Sequence, residues 1–416
     1  MSMKKLLILG INTRAIVKSA LKLDYLTFSG SYFSTLDFNF PHKKKHILKQ
    51  REGKSCQNFE TNYSYEKLLE ISKEMMDEVD HIVLSTGISP LDFKGEFKRY
   101  KKKIIGNQHT ENLEDKYKFY KKIKNKFLTP GTFKLRYENI SEANEILLQH
   151  DDKEFIMKPL QGSGGYGVKN LNYDMKNDFK AIDFGSQIGN NEKSEFLIQE
   201  FIHGHNISSS VLGGNDEVKA IVNSRMLTET DFGIKNSFKY CGNIIPLDIN
   251  SLKEFNNHNN YHINEKLINS NNINEISEEL IAKFKLIGSN GVDMIVNNEG
   301  IYIIEVNPRF QGTYELIENV LNINLLEAHI KACNNELINI PKPKGYSIKR
   351  IIYSKEKSMI GKLAIENVYD IPYEGVIIEK DQPLATVITN ENRLDIAVDN
   401  VNIATDKINK KINYIN

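Results

Sequence analysis

The hydrophobic pattern at the start of the chain predicts a small α/β domain. Residues 4–10 form an apolar run, which is typical of a buried parallel strand. Apolar side chains then recur at helical spacing over residues 14–23, and strand-like residues follow directly. A second helix is predicted over residues 65–79, and a second clear strand over residues 81–85. This alternation indicates a βαβ beginning within residues 1–105.

The remainder of the chain divides into two regions with different patterns. A lysine-rich stretch at residues 98–103 marks a boundary, and a longer α+β region follows over residues 106–340. From residue 341 to residue 416, predicted strands alternate with turn signals, and the final apolar pattern is helical. We therefore expect a small β-rich C-terminal domain that ends in a helix.

Composition limits the classes of protein to consider. The chain has 416 residues, of which 55 are lysine or arginine and 54 are aspartate or glutamate, so its net charge of +1 gives no electrostatic case for nucleic acid or a membrane surface. The cysteines Cys56, Cys241 and Cys333 lie far apart, which fits a reducing compartment better than a disulfide framework or a zinc site. No apolar run approaches the ~20 residues that span a bilayer. We expect a cytoplasmic protein.

A glycine-rich loop follows a predicted strand that carries one lysine, Lys158. The next residues, 161–168, contain four glycines, whose open backbone lets N–H groups approach phosphate oxygens. The preceding lysine supplies a positive charge for the same phosphates. The Gly-x-Gly-x-x-Gly match is weak evidence for a dinucleotide fold, because such a fold needs a helix after the loop, whereas residues 168–171 predict a returning strand.

Other readings of this loop fit less well. A Walker A loop would end in Gly-Lys followed by Ser or Thr, and this one ends in Gly-Val. A protein kinase would need a His-Arg-Asp catalytic loop, which the sequence does not contain. A tight hairpin without a ligand stays open as the structural alternative to phosphate binding.

A strong β-hairpin pattern near residue 300 carries acidic residues. Two apolar runs flank an Asn-Asn-Glu-Gly turn, and strand alternation puts Glu305 and Asn307 on one face. Asp293 falls one position away from Glu305 unless a bulge near Gly300 aligns the two. Carboxylates and an amide oxygen suit Mg²⁺, so these three residues are the candidate metal ligands. Arg309 follows, where its planar fork can bind phosphate or a carboxylate; an ordinary polar surface hairpin is the alternative.

The order of these parts resembles the ATP-grasp superfamily. A Glu-Asp-Lys segment ending at Lys116 comes first, followed by Lys158 with its glycine loop, the strand end at residues 199–204, and the acidic hairpin with Arg309. The similarity covers the whole chain and is greatest to archaeal ATP-grasp proteins described as carboligases related to biotin carboxylase. It implies an α/β and α+β fold of ATP-grasp architecture, with a Rossmann-like pre-ATP-grasp domain, two ATP-clasping lobes and a small C-terminal domain.

The resemblance also implies roles for the matching residues. Lys116 and Lys158 would hold the phosphates of ATP, and Lys158 and Arg309 would take part in catalysis by offsetting charge on the transferred phosphate. The three acidic-hairpin residues would hold one or two Mg²⁺ ions, with Mn²⁺ as the alternative ion. The other implied nucleotide-binding residues are Gly162, Ser163, Gly164, Gly165, Gly167, Gln199, Glu200, Ile202 and Asn206.

Two positions depart from the family pattern. Asn206 stands where the family usually has a glutamate at the ribose, although an amide can still hydrogen-bond a hydroxyl. Thr313 stands where biotin carboxylases have a glutamate two residues after a glutamine, here Gln311. Glu315 would face the same side only if the strand continued that far. These departures disfavour bicarbonate chemistry.

The implied activity is that of an ATP- and Mg²⁺-dependent ligase. It would activate a carboxylate as an acyl-phosphate for attack by an amine or similar nucleophile, with carbon–nitrogen bond formation as the main expectation. Two alternatives stay open: a carboxylase that works through carboxyphosphate, and an ATP-binding regulatory protein without turnover. The implied partners are small carboxylates and amines, and a homodimer is compatible with the family.

Overall fold

The computed structural model describes residues 3–136, 139–162, 164–171, 195–234, 237–255 and 267–415. The described residues form four β-sheets. No helix among them is long and apolar enough to cross a membrane. Three of the sheets surround the predicted site, and their strand ends position its side chains.

The first sheet is parallel, as the sequence predicted. Its strands are β1 (Lys5–Gly10), β2 (Leu26–Phe33), β3 (Lys43–Leu48) and β4 (His81–Leu84). Its helices are α1 (Arg14–Leu21), α2 (Phe59–Asn62) and α3 (Tyr65–Glu78). The strand order is β3-β2-β1-β4, and β3 was not foreseen. Because β1 and β4 are parallel neighbours, their carboxyl ends meet, and Ile11 N donates to Thr86 O at 2.8 Å.

The second sheet is antiparallel and carries the glycine loop. Two short 3-10 helices (Pro90–Asp92 and Gly95–Lys103) and the helices α4 (Glu111–Glu114) and α5 (Lys116–Ile123) lead towards it. Its elements are β5 (Thr132–Arg136), α6 (Ile140–Gln149), β6 (Phe155–Pro159), β7 (Lys169–Leu171) and β8 (Glu195–Glu200). The strand order is β5-β8-β6-β7. The glycine loop joins β6 to β7, which confirms the predicted returning strand.

The third sheet has eight antiparallel strands and is the centre of the molecule. Its strands are β9 (His205–Gly213), β10 (Val218–Thr228), β11 (Tyr240–Ile245), β12 (Gly288–Val296), β13 (Ile301–Asn307), β14 (Tyr346–Tyr353), β16 (Val368–Tyr369) and β18 (Pro383–Glu391). The order is β13-β12-β9-β10-β11-β14-β18-β16. A 3-10 helix (Glu229–Phe232) precedes β11. The accompanying helices are α7 (Ile249–Lys253), α8 (Ser270–Lys283), α9 (Tyr314–Leu321) and α10 (Leu325–Cys333).

The C-terminal region contributes to two sheets. Strands β14, β16 and β18 extend the central sheet, while β15 (Ser358–Ile360), β17 (Ile377–Ile378) and β19 (Ile412–Tyr414) form the fourth sheet. The final helix is α11 (Leu394–Asn409). The helical pattern was extended too far, because Ile412 pairs with Ile360 in a strand instead. The domain boundaries near residues 105 and 340 stay predictions.

One hydrophobic core joins the first sheet to the helices that follow the acidic hairpin. Leu6 and Ile8 of β1 belong to the same buried cluster as Phe310, Leu316 of α9 and Leu326 of α10. The strand ends of the first sheet are therefore fixed against the segment that leaves β13. This contact brings the pre-ATP-grasp sheet next to the predicted metal and phosphate residues.

Candidate active site

A bulge sets the register of the acidic hairpin formed by β12 and β13. Asp293 pairs with Glu305 because Ile304 is an extra residue in β13. The bulge that aligns them lies at Ile304 and not near Gly300, because the first apolar residues of β13 pack in the core and the irregularity falls after them. In a regular strand through residues 303–305, alternation would place Glu305 on the core-facing side with Ile303.

The three predicted metal ligands lie in direct contact. Asn307 Nδ2 donates to Asp293 Oδ2 at 2.9 Å and to Glu305 Oε1 at 3.4 Å. Asn307 Oδ1 in turn accepts from Arg309 Nη2 at 3.0 Å. The sequence analysis missed Ser208 of β9, whose Oγ donates to Asp293 Oδ1 at 2.6 Å. The available signal was a run of three serines in an otherwise apolar strand, where polar side chains need a partner.

Two predicted lysines reach this hairpin from separate elements. Lys116, at the start of α5, has its Nζ 3.1 Å from Glu305 Oε2 and donates to Gly162 O at 2.7 Å. Lys158 on β6 is buried, and its Nζ donates to Gln199 Oε1 at 2.7 Å. Lys116 therefore connects the hairpin to the glycine loop. Gln199 contacts Lys158 through its side chain.

Arg309 connects the hairpin to the first sheet. Its Nη1 donates to Thr86 Oγ1 at 3.2 Å, just beyond the carboxyl end of β4. The next residue, Gly87, accepts a hydrogen bond from Tyr63 Oη at 2.5 Å. Thr86 and Tyr63 were not identified from the sequence, because only the packing of the two sheets brings them to Arg309. The guanidinium thus lies between the acidic hairpin and the strand ends of the first sheet.

The glycine loop lies against the start of β11. Its four glycines have positive φ angles: +136° at Gly162, +69° at Gly164, +78° at Gly165 and +74° at Gly167. Ser163, the remaining predicted residue of the loop, lies outside the described residues. Gly164 O accepts from Tyr240 N at 3.1 Å, and a Cβ at Gly165 would lie 1.9 Å from Phe238 O. Glycine at position 165 is thus required for this close approach.

The residues predicted for the adenine and ribose end lie on the connection from β8 to β9. Glu200, the last residue of β8, forms an ion pair with Lys153 at 2.9 Å. Ile202 is buried in the connecting segment. Asn206 is half-buried and lies two positions before Ser208 on β9, so both side chains occupy the face that carries Asp293. Strand β9 therefore carries both the predicted ribose-binding residue Asn206 and Ser208, which contacts the acidic hairpin.

The charged groups of the site perturb one another. Burial, and then the charge of Glu305, raise the pKa of Asp293. Burial alone would also raise the pKa of Glu305, but the charges of Lys116 and Lys158 hold it below its usual range. Burial and the neighbouring Lys116 lower the pKa of Lys158 to about 7, and burial lowers the pKa of Arg309. Several charges are therefore incompletely compensated by protein partners, as is common at functional sites.

The donor chemistry fits Mg²⁺ and a nucleotide. A divalent cation would offset the repulsion between Asp293 and Glu305, and an anionic phosphate would offset the charges of Lys116 and Lys158. Asn307 turns its Nδ2 towards the carboxylates, and rotation of the amide would present its oxygen to a cation. Among the described residues, no group of three or more His, Cys, Asp or Glu is placed to hold a metal. Mg²⁺ needs no such group, because phosphates and water complete its shell.

The segment after the hairpin does not place a carboxylate at the position where biotin carboxylases have a glutamate. β13 ends at Asn307 and α9 begins at Tyr314, so Glu315 leaves on a helix and pairs with Arg14 at 2.9 Å. Thr313 Oγ1 instead lies 3.2 Å from Ser210 Oγ. Glu315 therefore does not replace the missing carboxylate.

Comparisons with known proteins agree with this arrangement. The family model described as an ATP-grasp domain matches residues 113–313, which contain every predicted site residue. The uncharacterized protein MJ0776 of Methanocaldococcus jannaschii is 32% identical over 391 residues, covering 93% of this chain and 88% of that protein. Tyramine–L-glutamate ligase of the same organism is 29% identical over 238 residues, covering 56% of this chain and 58% of the ligase.

A solved structure shares the fold over nearly the whole chain. It is the biotin carboxylase domain dimer of Hydrogenobacter thermophilus 2-oxoglutarate carboxylase, in complex with MgADP, ADP and bicarbonate. The likeness has a TM-score of 0.70 at 16% identity and covers 97% of this chain and 90% of that chain. Likeness at this identity concerns the fold alone. The predicted architecture and the resemblance drawn from the motifs are confirmed.

Proposed function

The chain belongs to the ATP-grasp family, and from this premise we propose that it is an ATP- and Mg²⁺-dependent ligase that activates a small carboxylate as an acyl-phosphate and joins it to an amine. One observation carries the proposal. Asp293, Glu305 and Asn307 are in mutual contact, and Lys116 and Arg309 bind directly to two of them. Cations and hard oxygen ligands are thus combined in one buried site, as phosphoryl transfer requires.

Each residue of the site has a distinct task in this reaction. When bound, ATP supplies the phosphoryl group and Mg²⁺ offsets the negative charge of its phosphates. Asp293, Glu305 and Asn307 would hold the metal, while Lys116 and Lys158 would bind the phosphates. Beside them, the guanidinium of Arg309 would stabilise negative charge on the transferred phosphoryl group and orient the carboxylate. The protein thereby positions and neutralises the reactants, and no protein nucleophile is needed.

The bond changes follow from the two substrates. A carboxylate oxygen bonds to the γ-phosphorus as the bond to the β-phosphate oxygen breaks, and ADP leaves. The amine nitrogen then bonds to the carbonyl carbon as the carbon–oxygen bond to phosphate breaks, and the amine loses a proton to solvent. Inorganic phosphate therefore carries one oxygen atom from the original carboxylate.

The choice of carbon–nitrogen ligation is supported by the relative whose name joins tyramine and L-glutamate. The region matched in that ligase is only 58% of its length, so its substrates are starting points for a screen. Carboxylation through carboxyphosphate is the weaker candidate, since Thr313 brings no carboxylate beside Gln311. A cytoplasmic location belongs to the same proposal and is supported by the three free cysteines. A homodimer, which sedimentation velocity would detect, is supported by the dimeric biotin carboxylase domain.

The proposal is tested by incubating the protein with ATP, Mg²⁺ and pairs of carboxylates and amines, beginning with L-glutamate and tyramine. We expect ADP formation that depends on one carboxylate and a condensed product that appears only with an amine. A carboxylate labelled with ¹⁸O should transfer one labelled oxygen to phosphate, which mass spectrometry detects.

Three other outcomes would contradict the proposal. Turnover that depends on bicarbonate alone would establish the carboxylase. Nucleotide binding without turnover across the whole panel would favour a regulatory role. Unlabelled phosphate beside a condensed product would exclude the acyl-phosphate route.

A further inference from the structure

Tyr166, the largest side chain of the glycine loop, reaches out of its own sheet. Its ring centroid lies 6.1 Å from that of Phe59 on α2, at an interplanar angle of 39°. It also shares a hydrogen bond with Tyr353 on β14. Tyr166 thus contacts α2, which accompanies the first sheet, and the last residue of β14 in the central sheet. The nucleotide-binding role assigned to the loop glycines does not account for these contacts.

The surface that receives Tyr166 is built from three separate segments, and we call Phe59, Tyr240 and Tyr353 the seat. Phe59 stacks on Tyr63 at 5.1 Å between ring centroids, and its backbone N–H donates to Gln382 Oε1 at 2.8 Å. Tyr353 Oη donates to Tyr240 O at 2.8 Å. The backbone N–H of Tyr240 donates to Gly164 O within the loop. Phe59 and Tyr353 of the seat therefore have contacts that do not involve the loop.

The seat is also connected to the reacting end of the site. Tyr63, under Phe59, donates to Gly87 O, and the preceding Thr86 binds Arg309. At the other end, the Oη of Tyr240 closes on Gly312, where an added Cβ would lie only 2.5 Å away. One end of the seat is thus linked to Arg309 through Tyr63 and the Thr86–Gly87 segment, and the other end contacts Gly312 directly. A loop docked on the seat is therefore held next to the chain that carries Arg309.

We propose that Tyr166 is a positioning residue that locks the glycine loop onto the seat and thereby couples ATP turnover to ligation. The inference rests on the proposed function, because it concerns the fate of the acyl-phosphate. Four glycines give the loop backbone wide conformational freedom, so docking of the Tyr166 side chain adds order beyond the backbone contacts at Gly162 and Gly164. A locked loop excludes water, and the acyl-phosphate then reacts with the amine; an unlocked loop admits water, which hydrolyses it to carboxylate and phosphate.

The test compares phosphate released with product formed in the same reaction. The wild-type protein should release one phosphate per condensed product. Tyr166→Ala and Phe59→Ala should each release phosphate in excess of product by about tenfold, since each removes the contact between the two half-buried rings. The double variant should be no worse than the singles, because both remove one interaction. Tyr166→Phe keeps the ring and should retain most of the coupling.

Control measurements separate the lock from general damage. Tyr373 is 37% exposed and lies outside the site, so Tyr373→Ala should behave as the wild type. The dissociation constant of MgADP should change by less than about threefold in Tyr166→Ala, because the partners of the ring, Phe59 and Tyr353, are not predicted nucleotide ligands. Circular dichroism and the thermal midpoint report whether each variant is folded, and Tyr166→Leu serves if the alanine variant is not.

A second readout is independent of the ligation assay. Amide hydrogen exchange of residues 164–168 with MgADP bound should be faster in Tyr166→Ala than in the wild type by about tenfold. Equal exchange rates, or a phosphate-to-product ratio of one in both Tyr166→Ala and Phe59→Ala, would overturn the lock. A wild-type protein that forms no product with any substrate pair would instead overturn the proposed function, and the exchange rates would still decide on the lock.

Discussion

Two groups of buried charges in this molecule have opposite electrostatic characters. The first, which we call the joint, consists of Arg14, Asp37, Glu315 and Asp370. Arg14 Nε lies 2.8 Å from Asp370 Oδ1 and 3.3 Å from Asp37 Oδ2, and Nη1 lies 2.9 Å from Glu315. Burial would lower the pKa of Arg14, but the three carboxylates raise it above its usual value. Burial would likewise raise the pKa of Asp370, but Arg14 lowers it to about 2.

The second group is the candidate active site, where the pKa shifts of Lys158 and Asp293 have the opposite sign, although Glu305 keeps a lowered pKa beside the two lysines. The pKa of Lys158 falls to about 7 and that of Asp293 rises, mainly because both are buried. In the joint, protein partners favour the charged forms, so it fastens α1 to α9 and to the end of β16. In the site, the protein leaves charge uncompensated, so a ligand of opposite charge gains binding energy there. Similar burial thus serves stability in one place and binding in the other.

Removing the cation of the joint should have the largest effect. Arg14→Met leaves the buried Asp370 and the half-buried Asp37 and Glu315 without their partner, so we expect a loss of about 3–5 kcal/mol in the free energy of unfolding. Denaturant unfolding followed by circular dichroism measures it. Lys43→Met is the matched control, because its ion pair with Glu78 is exposed and should contribute less than about 1 kcal/mol. An equal loss in both variants would remove the distinction between the joint and a surface ion pair.

Removing a carboxylate of the site should lower the rate of turnover and leave the stability of the fold close to that of the wild type. Glu305→Gln deletes a metal ligand and the partner of Lys116, and we expect a rate of ADP formation about 10²–10³-fold lower. The thermal midpoint should stay close to the wild type, since the repulsion of Asp293 is relieved at the same time. Glu299→Gln, in the turn of the same hairpin, is the control and should keep its activity. An unchanged rate in Glu305→Gln would show that the hairpin is not the metal site.

Acid should weaken the joint over a defined range. The pKa of Asp370 is about 2, against 3.8 for an unperturbed aspartate. A lowered pKa in the folded protein means that the stabilisation is complete above about pH 4 and is lost as the pH falls towards 2, amounting to about 2 kcal/mol. Thermal midpoints measured from pH 5 to pH 2.5 should show this loss. Asp370→Asn should be less stable at pH 5 and show a flatter dependence; a parallel curve would assign the acid effect to other groups.

The smallest expected effect is the uptake of a proton by Lys158 when a nucleotide binds. With a pKa of about 7, Lys158 is mostly neutral at pH 8 in the free protein. Phosphate oxygens favour its ammonium form, so binding of metal-free ADP at pH 8 should take up as much as about one proton. Titration calorimetry in two buffers of different ionisation enthalpy measures it. Lys158→Met should abolish the difference between the buffers, and equal heats with the wild type would refute the shift.

Local sequence patterns predicted the parts of the site that are contiguous in the chain. The glycine loop, the Lys158 strand and the acidic hairpin each lie within a few residues, so their spacing carries the information. Contacts between residues far apart in the sequence were not predicted. Ser208 and Asp293 are 85 positions apart, Thr86 and Arg309 are 223 apart, and Arg14 and Asp370 are 356 apart. Such pairs depend on how sheets pack, which strand periodicity does not encode.

The bulge at Ile304 shows a second limit of predicting structure from the alternation of residues along a strand. Alternation correctly put Glu305 and Asn307 on one face, but it also assigned that face to Ile303. Burial decides the conflict, because Ile303 is stabilised in the core, whereas a carboxylate placed there would lose its hydration. Only the packed structure shows that the change of face occurs at Ile304.

The extra residue at Ile304 also has a genetic consequence. Loss of that single codon would remove no ligand, no lysine and no glycine, and Glu305 would then follow Ile303 directly. Alternation would keep Glu305 and Asn307 on the face of Asp293 and Val306 in the core, so only the bulge would be lost. An alignment that penalises a gap inside the motif would rate such an allele as damaged, although the pairing of the ligands across the hairpin would be unchanged.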